Sequence, residues 1–584
     1  MTARLVLVSA AFGLLMLGGA ATALGAIPLE VPTKGRTALA PGISYQRLER
    51  TEGIVHVVRM KPGPRRSLSP AFTAGRPTAR ATLTSAMRAR SGLGAVAGLN
   101  GDFFNFNSGK PSGLVLLDGL LINEPEPTRT AALITPGGLV AERLALEGTW
   151  QADGQPAARA IDGLNRVAQS GRETLIYTPS FGESTPIGPS RFEVRIALDP
   201  PATGLSPNVP VAGTVKERTT GGGLDLKLGQ MVLTAIGADG PAASAELPVG
   251  ARITIAPTVA GIPAGVLQGI GGGPILVRDG RAIVNAGEGF TSAQIGSRTA
   301  RSALGQQANG LLMLAMVEGP LNGRRGITAA QQARLMQDLG AITAVAMDAG
   351  GSAALALHER IAAPRDSERR ITNALIASYS GVHFPEILNT RMTPNNDGVV
   401  EEIPTSVRVP TRGVLTVTLA HRRGRTIRIT KRLTGPTARR VVINGRRLKL
   451  ADGIYTLRAR LEPEDGSAPS SHSRRLLVDR TLAALSLRRY VRRVERKPRP
   501  KLDISFRLFR KAKVTVTVRN QDGRRLRILA NGKQLAAGTQ TLTWDRTIRR
   551  KPARGTFLID VEVRSQLGRT GLREDVTLTD PRGG

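Results

Sequence analysis

Between residues 41 and 380 the chain breaks into short apolar or alternating runs, each closed by Gly, Pro or Asn, and few segments keep a 3.6-residue period. Gly, Pro and Asn turns recur between the short β-like runs, so helices are the minority. Two stretches read as helices. Residues 81–91 place Leu83, Ala86 and Met87 on one face, and residues 328–339 start on the N-cap Thr328, carry Leu335, Met336 and Leu339, and stop at Gly340. The expected class is α+β with a mixed sheet. The second helix runs into Ala341-Ile342-Thr343-Ala344-Val345-Ala346-Met347, a short buried strand, so a βα-type arrangement would set Asp348 at a strand's C-terminal end.

A chain of 584 residues exceeds a single core, and its texture divides it into a leader (1–26), a main domain (27–384) and two β-sandwich units (385–482 and 483–584). The leader has Arg4, an apolar stretch over 5–17 and the small-residue pattern Ala21-Thr22-Ala23, which reads as a secretion signal. Gly18, Gly19 and Thr22 break it below the roughly 20 apolar residues of a membrane span, so no span is expected after cleavage and the address is extracellular or envelope-associated. Without cysteine there are no disulfides, thiol nucleophiles or thiolate metal sites, and packing must supply the stability. The formal charge of +36 is lopsided: about +28 lies after residue 390 and about +8 before it. Such a tail suits anionic polymers, phosphate-rich or uronic-acid-rich envelope material before nucleic acid, while an Arg-rich solvated surface is the plainer alternative.

Beyond residue 385 the turn cluster Thr393-Pro394-Asn395-Asn396-Asp397-Gly398 precedes alternating Val407 and Val409 and the run Leu415-Thr416-Val417-Thr418-Leu419. A diverged copy follows, with Val514-Thr515-Val516-Thr517-Val518 and then Phe557-Leu558-Ile559-Asp560-Val561. The two units resemble the Ig-like domain of flagellar hook-capping proteins. Asp397 lacks the later acidic ligands of a calcium loop, so a structural turn is expected there, although structural calcium is not excluded.

Two apolar runs end in small, polar clusters: Val96-Ala97-Gly98-Leu99-Asn100-Gly101-Asp102-Phe103-Phe104, and the strand ending in Asp348-Ala349-Gly350-Gly351-Ser352. Between and beyond them lie Gly269-Ile270-Gly271-Gly272-Gly273-Pro274, Arg301-Ser302-Ala303-Leu304-Gly305, and Arg369 through Asn373. In this order the motifs resemble the phosphodiester glycosidase family, over roughly residues 41–380. The family's Asp is usually followed by three glycines and two serines; Ala349 and Ala353 depart from that pattern, and Val317-Glu318-Gly319-Pro320 replaces its Asp-Gly-Arg turn.

The resemblance implies hydrolysis of a sugar 1-phosphodiester, similar to N-acetylglucosamine 1-phosphodiester, in a phosphorylated glycan or cell-wall polymer. Asp348 is the first candidate carboxylate, Asp102 its partner across the cleft and Glu318 the third. Arg301 is the expected phosphate fork, because a planar guanidinium gives two parallel charge-assisted bonds to phosphate oxygens. Backbone N–H groups of the run centred on Gly272 would add donors, with Gly350 and Gly351 beside the substrate. Asn100 and Ser352 would orient it, and Arg369 with Asn373 would close the site. Departure as a phosphate monoester, whose second pKa is near ~6, lowers the need for a separate acid. No His, Asp or Glu spacing suggests a metal, no cofactor is implied, and no Gly-x-Ser-x-Gly elbow makes Ser352 a nucleophile. The competing reading is a non-catalytic envelope-binding protein on a degenerate enzyme fold.

Overall fold

The computed structural model describes residues 7–8, 27–28 and 37–578, apart from 51–52, 285–286, 322–323, 364–367, 386–389, 423, 425, 434–435 and 495–496. The expected leader lies outside the described residues except at 7–8. The chain forms two compact units, residues 36–380 and residues 381–584 with 1–35. Among the described residues no helix is long and apolar enough to cross a membrane.

The described residues hold only four α-helices, Leu83–Ala89, Asp239–Glu246, Ser292–Gly296 and Ala329–Asp338, so the fold is mostly β and its helical part is smaller than an α+β reading expects. Local chemistry sets the helices. Thr82 caps the first by accepting from the Ser85 amide, and Thr328 with Gln331 closes a reciprocal capping box on the last, which buries Ala329, Gln332, Ala333, Leu335 and Met336.

The 36–380 unit contains four large sheets. One has eight strands in the order Arg281–Ala282, Ile275–Arg278, Ala341–Ala346, Arg301–Gln307, Leu312–Val317, Gly53–Met60, Ile43–Arg50 and Thr37–Ala40. A second runs Arg360–Ala363, Leu355–Leu357, Ala95–Asn100, Asn373–Tyr379, Arg66–Phe72. A third runs Gly138–Arg143, Thr130–Thr135, Gln268–Gly271, Val115–Leu117, Leu120–Asn123. One apolar core joins all three, with Val96, Leu99, Ala132, Ile270, Leu304, Val345, Leu355 and Leu375 buried together. The fourth, eight-stranded sheet packs Trp150, Ile176, Val194, Ile196, Leu233 and Ile255 into a second core, which it shares with Leu116 and Leu133 of the third sheet and with Leu114.

Leu312–Val317 and Ala341–Ala346 both pair antiparallel with Arg301–Gln307, which lies between them, so they run parallel to each other and helix Ala329–Asp338 lies on the connection that joins them. The βα-type arrangement is thus present with one antiparallel strand interposed, and Asp348 follows the C-terminal end of Ala341–Ala346.

The 381–584 unit is strand-built around two cores, one over residues 382–478 and one centred on residues 482–578. In the first, Leu415, Val417 and Leu419 alternate inward with Leu457, Ala459 and Leu461; in the second, Val514, Val516 and Val518 meet Ile559, Val561 and Val563. Asp397 accepts from the Val399 amide at 2.9 Å and the Ala484 amide at 3.1 Å, which spends its carboxylate on chain geometry.

Candidate active site

The ends of three sheets meet at one place. Ala95–Asn100 delivers Asn100, Gly101 and Asp102; Asn373–Tyr379 begins there with Asn373; Ala341–Ala346 ends there before Asp348; and Gln268–Gly271 ends there before Gly272. Hydrogen bonds sew these ends together. The Asp348 amide donates to Gly101 O at 3.0 Å, and Asn100 Nδ2 donates to Asp348 O at 2.8 Å while Asn100 Oδ1 accepts from the Ala354 amide at 3.0 Å. Asn100 is therefore a buried clamp between two loops. Asn373 has a similar position: its Oδ1 accepts from the Asp102 amide at 2.8 Å, while its buried Nδ2 has no hydrogen-bond partner among the described residues.

Asp102 is sealed from solvent. Arg129 Nη2 donates to its Oδ1 at 2.6 Å, the Phe103 amide donates to the same atom at 2.7 Å, and Oδ2 is buried without a partner among the described residues. Burial pushes this carboxyl above its ordinary range, against the pull of Arg129 and of the nearby Phe103 and Gly113 amides. Only glycine fits at 271, because a Cβ there would collide with Asp102 Oδ2. Arg129 is held between the rings of Phe103, 4.5 Å away, and Phe290, 5.1 Å away, and also donates to Gly272 O. No local sequence signal marks Arg129, which follows a Pro-containing turn and acquires its role only when the sheets converge.

Asp348 is the accessible carboxylate of the pair. Its pKa is raised to about 6, first by burial and then by the Asp102 charge, while the Ser352 hydroxyl, the Ala349 amide and the Arg369 charge oppose the rise. The turn Gly350–Ser352 curls beneath it, with the Gly350 amide on Ala300 O at 2.9 Å and Ser352 buried. Arg369 is exposed at this rim, its Nη1 3.4 Å from Ser352 Oγ and its guanidinium 5.5 Å from the ring centre of Phe106. A Cβ at 351 would collide with the Arg369 guanidinium, so glycine there lets the cation lie across the turn.

Three expectations meet a different geometry. Arg301 is buried, with Nε donating to Ile327 O at 2.8 Å and Nη2 to Gln294 O at 2.8 Å and Ser297 O at 3.0 Å, so this fork holds the carbonyl end of a short helix. The amides of Gly271, Gly272 and Gly273 donate to Leu114 O, Thr130 O and Ala346 O at 2.7, 3.0 and 2.9 Å, so the glycine run serves main-chain contacts instead of forming an anion cradle. Glu318 accepts from His56 Nε2 at 2.8 Å, whose Nδ1 meets Tyr45 Oη at 2.8 Å. It follows a strand two places from that of Asp348, a separation of about 10 Å across the sheet. Among the described residues no three His, Asp or Glu side chains converge as a metal site would require.

A buried carboxylate locked to an arginine, beside a more accessible one with raised pKa and an exposed guanidinium, defines a site suited to acid–base work on an anionic substrate. The family model described as phosphodiester glycosidase matches residues 212–378, and a domain of that family is present there. The matched span contains Gly272, Arg301, Glu318, Asp348, Arg369 and Asn373, whereas Asn100, Asp102 and Arg129 precede it.

Among solved structures, a hypothetical protein from Synechocystis is 24% identical with a TM-score of 0.49, the alignment covering 58% of this chain and 62% of that one. A putative exported protein from Burkholderia pseudomallei is 19% identical, TM-score 0.45, covering 57% and 74%. The zebrafish N-acetylglucosamine-1-phosphodiester alpha-N-acetylglucosaminidase catalytic domain, auto-inhibited by its pro-peptide, is 16% identical, TM-score 0.29, covering 57% and 82%. No curated protein sequence matches the chain.

Proposed function

We propose that the protein is an exported hydrolase that cleaves a sugar 1-phosphodiester in cell-envelope or exopolysaccharide material. The observation that carries this reading is the placing of Asp348, raised to about 6, near the exposed guanidinium of Arg369, which lies across the turn Gly350–Ser352. Arg369 takes the phosphate-binding role expected of Arg301, because it faces solvent and Arg301 is spent on carbonyls. Asp348 accepts a proton from water as the water oxygen bonds to the anomeric carbon; the bond from that carbon to the phosphate oxygen breaks, and a phosphate monoester leaves with the electron pair. A leaving group whose second pKa is near ~6 departs without a dedicated acid. Asp102 and Arg129 fix the loop on which the site rests, and Asp102 holds the Asp348 proton affinity up by its charge.

The test is hydrolysis of an N-acetylglucosamine 1-phosphodiester in ¹⁸O-water, with mass analysis of both products. Label in the sugar is expected. Label in the phosphate would mean P–O cleavage and overturn the glycosidase assignment, and Arg369→Ala should raise KM far more than it lowers kcat.

A further inference from the structure

The strong positive charge after residue 390 acquires a definite geometry in the sheet formed by Arg391–Met392, Ser470–Val478, Gly453–Pro463, Gly413–His421 and Thr426–Leu433. Its inward face is aliphatic: Leu415, Val417, Leu419, Leu457, Ala459 and Leu461 are buried in the core. The outward face repeats cations and hydroxyls. Across one row Ser473 pairs with Arg458, Arg458 with Thr418, and Thr418 with Arg428; across the next Ser471 pairs with Arg460, Arg460 with Thr416, and Thr416 with Thr430.

Because residues two apart on a strand share a face, Arg458 and Arg460 stand about 7 Å apart, and Arg428 lies two strand spacings, about 10 Å, from Arg458. All three guanidinium side chains belong to exposed residues. The hydroxyls are organised with them: Thr416 and Thr430 share a hydrogen bond of 3.2 Å, and Arg458 Nη2 donates to Ser471 Oγ at 3.3 Å. Arg460 meets Glu462 at 3.2 Å at the edge, an exposed pair that yields readily to a stronger anion.

We infer that this face is a binding site for an extended, polyhydroxylated polyanion, specifically a phosphodiester-linked glycan or polyol chain lying across the strands. Rows of guanidinium groups supply the forks that phosphates take in pairs, and the Ser and Thr hydroxyls between them supply donors and acceptors for sugar or polyol hydroxyls. Duplex or single-stranded nucleic acid fits less well. The two rows carry no aromatic ring on which bases would stack and no helix for a major groove. The inference deepens the envelope assignment of the preceding section but uses none of the catalytic residues, so binding and hydrolysis fail independently.

The experiment measures binding of the full chain to poly(glycerol phosphate), duplex DNA and neutral dextran across salt concentrations. Two charge-matched variants are compared, Arg428→Gln/Arg458→Gln/Arg460→Gln and, on exposed positions elsewhere in this unit, Arg549→Gln/Arg550→Gln/Lys551→Gln. The parent is expected to prefer poly(glycerol phosphate). The sheet-face variant should lose at least tenfold in affinity at low salt, and its slope of log affinity against log salt should shrink by about 2, whereas the second variant should lose less than threefold. Equal losses in both variants would overturn the site in favour of diffuse charge. Tighter binding to DNA would replace the proposed partner by nucleic acid.

Discussion

Replacing Arg129 by Met tests the electrostatic frame of the site. Arg129 is 12% exposed and Asp102 fully buried, and their 2.6 Å contact is the main counterweight to burial of that carboxylate. Removing one partner of such a pair costs about 3–5 kcal/mol, because the remaining charge is desolvated and unpaired. Methionine keeps the apolar contact with Phe103 and Phe290, so the loss reports charge more than packing. Native Asp102 already sits above its ordinary pKa, and without Arg129 it rises further; parent and variant lose stability alike as pH first climbs past the unfolded carboxyl's ~3.9, and the difference between them builds between the parent's folded pKa and the variant's higher one. The destabilisation should therefore grow as pH rises and be larger at pH 8 than at acid pH. Urea unfolding read by Trp150 fluorescence, in a Trp544→Phe background that leaves one tryptophan, follows the 36–380 unit alone. Adding Asp102→Asn should restore most of the loss at pH 8. A loss below 1 kcal/mol, a loss independent of pH, or no rescue would show that Arg129 does not hold the Asp102 charge.

Other outcomes follow from the same geometry. Asp348→Asn should stabilise the 36–380 unit at pH 8 by up to about 3 kcal/mol and change little at pH 4, because a carboxyl raised to about 6 weakens the fold as pH rises through that range; urea unfolding at both pH values checks it. In the 381–584 unit His383 is buried and lowered to about 4 by burial, so stability should fall by up to about 3 kcal/mol as pH drops from 6.5 to 4, where the unfolded chain takes up the proton first. His383→Asn should weaken that dependence in a melting series and leave the part due to His472, which burial lowers to about 3. Gly351→Ala should displace the Arg369 guanidinium and raise KM severalfold while leaving thermal stability within about 1 kcal/mol, since the clash is with the end of a flexible side chain.

Several elements were legible because their causes are local. The Thr328 cap, the stripe Leu335 and Met336, and the apolar run before Asp348 specify helix Ala329–Asp338 and strand Ala341–Ala346 with little help from the rest of the chain. The strands of the basic half show their inward set in sequence at Leu415, Val417 and Leu419. Other features depend on contacts far apart in the chain. Arg301 and Arg129 are alike in sequence, but one meets the carbonyls ending Ser292–Gly296 and the other meets Asp102, and only the converging sheets decide which. The glycine run looks like an anion cradle until Leu114, Thr130 and Ala346 supply carbonyls for its amides. Strand order is equally non-local: the helix joins the parallel strands Leu312–Val317 and Ala341–Ala346, but no local pattern shows that the antiparallel Arg301–Gln307 lies between them.

Asp348 is the proposed base of a glycosidic hydrolysis, and kcat/KM for sugar release from an α-linked N-acetylglucosamine 1-phosphodiester across pH 4–8, for the parent and Asp348→Ala, tests that role. The rate is expected to rise through about pH 6 in the parent and to fall by roughly 10²–10⁴ in the variant, with that limb gone. Sugar release that survives unchanged in a folded Asp348→Ala protein would contradict it.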